Sequence, residues 1–181
     1  MKPCCSSLVA LAAVAVLGCG QTPQTTPPPT TPPATASAQL SPEQAADARR
    51  QIVAWLECEE CESGELEAVV KLGETAVPTL AATLREGPSP ATREKVRLHL
   101  VDTYANLRKQ ARAESKVDMS EDAYVKMYMD NYDALYRVRS AQALAAIGGA
   151  GAQRALEAAK GYTLREDARE AVNQSLQKIR R

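Results

Sequence analysis

Leu72-Gly73-Glu74-Thr75-Ala76-Val77-Pro78-Thr79-Leu80 sets an apolar–glycine pair ahead of a short helix with Leu80 and Leu84 inside, and Ile147-Gly148-Gly149-Ala150-Gly151-Ala152, followed by Leu156, does the same. The two stretches begin 75 residues apart, close to twice the ~40-residue period of helical repeats. Outward from them the punctuation is helical. Ser41-Pro42 with Gln44, Ser63 with Glu65 and Glu67, Ser89-Pro90, and Ser120-Glu121-Asp122 read as helix starts, and Thr163-Leu164-Arg165-Glu166 as a capping box for the last helix. Gly73, Gly87 and Gly148 read as stops. Ala45, Ala48, Ile52, Trp55 and Leu56 recur on one helical face. The helix opened at Ser89 is expected to run to about Ser115, and the one opened at Ser120 to Gly148, with room for a break near Asn131 to Asp133. Val96 to Leu107 carries apolar residues on more than one face, which implies neighbours on both sides. No segment alternates as a strand would. The expectation is an all-α body of six to eight helices over residues 40–181.

The stretch before the second copy is Val138-Arg139-Ser140-Ala141-Gln142-Ala143-Leu144. An apolar-Arg helix running into Ala-Leu, a glycine turn, and a helix opening on Ala-Val-Pro together resemble HEAT repeats of the short bacterial type. The resemblance implies a short α-solenoid of antiparallel helix pairs. Val77, Leu80 and Leu84 would then face inward on a second helix, and Ala141, Leu144 and Ile147 on a first. Ala91 to Asp130 would be a degenerate middle unit without the glycine turn. Stacked pairs build one continuous core and offer an extended face for proteins or peptides rather than a catalytic cleft.

Residues 1–38 are of another kind: their only charge is Lys2, and they hold seven of the eleven prolines. Leu8 to Leu17 is an unbroken apolar run of ten. It spans roughly 15 Å as a helix, too short to cross a bilayer and suited to a signal peptide. Val16-Leu17-Gly18-Cys19 resembles the lipobox of bacterial lipoproteins. The resemblance implies removal of residues 1–18 and lipidation of Cys19, which anchors the chain to a membrane. Gly20 stands where an Asp would signal inner-membrane retention, so the implied location is the cell envelope, at the outer membrane. From the lipidated Cys19 to Gln39 the chain is Pro/Thr-rich and uncharged, the composition of a disordered linker.

Over all 181 residues, 22 Lys+Arg balance 22 Asp+Glu, so the basic excess of a nucleic-acid binder is missing. His99 is the sole histidine; in Arg97-Leu98-His99-Leu100 it reads as packed or exposed rather than catalytic. Cys4 and Cys5 depart with the leader, which leaves Cys58 and Cys61 as thiols. In an exported compartment such a pair reads first as a disulfide pinning a turn. Redox catalysis would need a lowered thiol pKa, whereas glutamates crowd this pair late in a helix. A zinc site would need four ligands where one Cys pair is present. Tyr124, Tyr128, Tyr132 and Tyr136 form a four-residue ladder with Met127 and Met129 nearby, the candidate partner surface, with packing against adjacent helices as the alternative. No catalytic constellation, cofactor motif or complete metal site emerges. The functional expectation is a non-enzymatic, membrane-anchored interaction or assembly module that meets an envelope protein or peptide. The alternative is a thiol-redox or metal-binding envelope lipoprotein acting through Cys58 and Cys61.

Overall fold

A computed structural model describes residues 41–58, 60–61, 63–111 and 118–181. The stretches expected to be a signal peptide and a linker, with Cys19, lie outside these residues, as does the stretch around Ser115. Seven α-helices follow in order among the described residues: α1 (Pro42–Glu57), α2 (Ser63–Lys71), α3 (Val77–Glu86), α4 (Pro90–Gln110), α5 (Glu121–Ile147), α6 (Gly149–Ala159) and α7 (Glu166–Ile179), with a 3-10 turn (Gly73–Thr75) between α2 and α3. The described residues contain no strand, so the all-α expectation holds.

Local chemistry sets most of the boundaries. Ser41 caps α1 in a reciprocal capping box with Gln44. Ser89 and Ser120 accept from the backbone N–H groups of Thr92 and Ala123 at the starts of α4 and α5. Gly87 and Gly148 end α3 and α5 at positive φ, +75° and +69°, a conformation other L-residues adopt only with strain. α5 runs from its Ser120 cap to Gly148 as expected, without the optional break at Asn131 to Asp133. One local expectation fails. α7 starts at Glu166 with Arg165 at its cap position and no side-chain cap; Arg165 instead pairs with Asp167, and Asp167 accepts from the Ala168 N–H. The box expected from Thr163 therefore does not form.

α5 is the axis of the body and contacts all six other helices. Its last two turns are rich in small residues. Ser140, Ala141, Ala143, Leu144 and Ala145 are all buried, on several faces, so neighbouring helices approach closely from different sides. The buried Ser140 hydroxyl donates to the Tyr136 carbonyl and meets Thr83 Oγ1 at 2.7 Å, tying α5 to α3. Arg93 binds Asp133 through both carboxylate oxygens and donates to the Glu86 carbonyl, joining α4, α5 and the end of α3. No buried side-chain polar atom among the described residues lacks a partner.

The two glycine-turn copies pack directly on each other. α2 meets α5, α3 meets α6, and the 3-10 turn of the first copy meets α6 of the second. Val77, Leu80, Leu84, Ala141, Leu144, Ala152 and Leu156 are buried in one core, and Ile147 packs against it. The intervening α4 does not separate the copies; it packs chiefly along α5. It buries Leu100 and Tyr104 with Tyr124 in a small second cluster and leaves Leu98 51% exposed. Neighbours on both faces of α4 are thus not found, because its other apolar face is turned outward.

Candidate functional site

A cleft of about 560 Å³ opens between α4 and α5. Its apolar lining comes from Val96 and Leu100 on α4 and from Tyr128, Tyr132 and Leu135 on α5. The spacing that makes this wall is helical: Tyr128, Tyr132 and Leu135 recur at four and three residues. Lys95 and His99 add basic side chains on the α4 side, and Asn131 lies on the α5 side. Glu57, at the C-terminal end of α1, joins the lining. Its carboxylate oxygen Oε1 accepts hydrogen bonds of 2.9 Å from both the Thr92 hydroxyl and the Tyr136 hydroxyl.

The tyrosine ladder divides over this geometry. Tyr136 is 2% exposed and Tyr124 is buried, while Tyr132 is half-buried and Tyr128 exposed. Tyr132 and Tyr136 form a tilted ring pair with centroids 5.3 Å apart, and Tyr124 sits between Tyr104 and Tyr128 at 5.4 and 4.5 Å. Burial, then the neighbouring Tyr132 and the Glu57 carboxylate, hold the Tyr136 phenol far above its ordinary ionisation range. Two members therefore serve the core and two line the cleft. The slow drift of a four-residue ladder around a helix accounts for the division. His99 is exposed at the cleft.

The second locus is the turn between α1 and α2. Cys58 is the C-cap residue of α1, and Cys61 stands two residues before α2. Their Cα atoms are 5.5 Å apart, inside the range a disulfide spans. Arg139 of α5 fixes this corner: its Nη1 donates to the carbonyls of Trp55, Leu56 and Cys58 at 3.4, 2.9 and 2.7 Å. The Trp55 carbonyl also accepts from the Cys58 N–H, while those of Leu56 and Cys58 belong to the end that a helix leaves without intrahelical partners, so one guanidinium caps α1 from a distant helix. Glu65, in the first turn of α2, brings a carboxylate oxygen to within 4.8 Å of both sulfurs. Sequence reading placed Glu65 only at a helix start and Arg139 only within a helix, and brought neither to this turn. Glu65 stands four residues beyond Cys61, a spacing that was available; the approach of Arg139 depends on how α5 packs and left no local trace.

No helix among the described residues is long and apolar enough to cross a membrane. No protein-family model, curated protein or solved structure matches the chain. The fold and its two loci define an all-α protein with an open, tyrosine-lined cleft and a cysteine turn.

Proposed function

We propose that the chain is a membrane-anchored, non-catalytic interaction or assembly module of the bacterial cell envelope, held at the outer membrane by lipidated Cys19 and a Pro/Thr-rich tether. In this reading α2–α3 and α5–α6 are HEAT-like antiparallel pairs, with α4 laid against α5 so that a cleft opens beside the paired helices. A peptide or helix of an envelope protein binds there, seated on Tyr128, Tyr132 and Leu135. The observation that carries the reading is the open apolar wall itself. Tyr is favoured at interfaces, and Tyr128 and Leu135 stay exposed at the cleft while Tyr124 and Tyr136 of the same ladder are buried. Crosslinking and pull-down from envelope membranes test it. The parent chain should capture a partner that a Tyr128→Ala, Tyr132→Ala double variant loses. Equal capture by both would remove the cleft from the interaction. Fatty-acid labelling should mark the parent and spare a Cys19→Ala variant.

A further inference from the structure

The α1–α2 turn carries chemistry that cleft binding leaves unused. We propose that in its dithiol state this turn is a three-ligand site for a borderline-soft divalent cation, Zn²⁺ foremost, with Cys58, Cys61 and Glu65 as ligands and a fourth position open to water.

The donor set is assembled by local structure. Cys58 ends one helix, Cys61 precedes the next by two residues, and Glu65 occupies the first turn of that helix. The two sulfurs and a Glu65 carboxylate oxygen lie within 4.8 Å of one another. Tetrahedral Zn²⁺, with bonds of about 2.0–2.3 Å, needs donors about 3.5–3.8 Å apart. The structure holds the two sulfurs bridged; once the bridge is reduced, side-chain rotations reach that separation from a Cα spacing of 5.5 Å. The turn is held from outside by the three carbonyl contacts of Arg139, so binding need not order it. Two thiolates and a carboxylate exceed the ion's charge by one, and the Arg139 guanidinium at the same corner offsets the remainder. Thiolate donors select Zn²⁺ over Mg²⁺ and Ca²⁺, which take oxygen ligands. Each ion bound displaces the two thiol protons to solvent, so affinity rises with pH. The bridged form of the same pair offers no thiolate and holds no ion.

The test uses the full chain, reduced and then freed of reductant. Zn²⁺ is titrated in competition with a chromophoric chelator, and Co²⁺ is followed by its thiolate charge-transfer absorption. The expected result is one equivalent of either metal per chain, with no binding once the pair has been oxidised to the disulfide. Cys58→Ser should abolish binding. Glu65 is exposed, so Glu65→Gln should leave the far-UV circular dichroism unchanged while weakening Zn²⁺ by about tenfold or more. A reduced chain that takes up no Zn²⁺, or a folded Glu65→Gln variant that binds as tightly as the parent, overturns the site. Because the cleft is absent from this readout, failure here leaves partner capture untouched.

Discussion

Glu74 shows how a single side chain joins the two repeat copies. It sits in the turn of the first copy, and its Oε1 accepts from the Gly151 N–H at 3.3 Å, the third residue of α6. A carboxylate at that place satisfies an orphan donor and complements the helix dipole. The glycines make room for it: a Cβ at Gly149 would stand 2.7 Å from Oε1, and one at Gly151 would overlap Oε2. Gly151→Ala alone should therefore change stability little. Its helix-propensity gain of about 0.5–1 kcal/mol is offset by displacing Glu74, worth about 0.3–1 kcal/mol. With Glu74→Ala already in place, the same glycine replacement should stabilise by its full gain. Urea denaturation of the four proteins measures the coupling, and strict additivity would show that the contact contributes nothing. Tyr136 supplies a second residue-scale prediction. Its folded ionisation lies well above the ordinary 10.0 of a phenol, first because it is buried. Above pH 10 the unfolded chain loses this proton while the folded chain keeps it. The stability is therefore present in full below about pH 10 and falls as pH rises beyond it. Tyr136→Phe should cost about 1–2 kcal/mol at neutral pH through the lost Glu57 hydrogen bond, yet flatten the decline between about pH 10 and 12. An unchanged alkaline slope in thermal melts would rule this out.

Among the elements, what was legible from sequence was what is local. Ser41, Ser89 and Ser120 cap the helices they announce, and Gly87 and Gly148 end theirs, because a hydroxyl or a missing Cβ acts within a few residues of itself. α7 departs from this rule: Arg165 has a partner in Asp167, so Thr163 does not become the cap. α4 departs for a different reason. Its sequence is apolar on two faces, but which face is covered depends on the packing of α5, and local spacing holds no record of that. The same limit hid Arg139, which closes the end of α1 from 81 residues beyond Cys58. Arg139→Met should remove a charge-assisted cap and cost about 1.5–3 kcal/mol. Arg139→Lys should recover only part of the loss, since an ammonium lacks the planar fork of the guanidinium. Equal midpoints for parent and Met variant in chemical denaturation would mean that the end of α1 is held by other contacts.

At the scale of the molecule, the self-similarity of the two glycine-turn stretches was legible and their placement was not. Two copies separated by 75 residues allow an intervening unit, but their glycine turns and small residues let them pack on each other directly. α4 lies along α5 instead and makes the cleft. The tyrosine ladder of α5 then does two jobs along one helix, and this separates a binding wall from a core by experiment. Tyr136 and Tyr124 are buried, so their alanine variants should lose about 3–5 kcal/mol, the range for large aromatic truncations. Tyr128 is 41% exposed and should shift the melting temperature little when truncated; half-buried Tyr132 should fall between. Partner capture should rank the other way among the variants that remain folded, with Tyr128→Ala and Tyr132→Ala losing it. If Tyr128→Ala melts as early as Tyr136→Ala, the ladder is core throughout, and the open wall beside α4 has no claim as a binding surface.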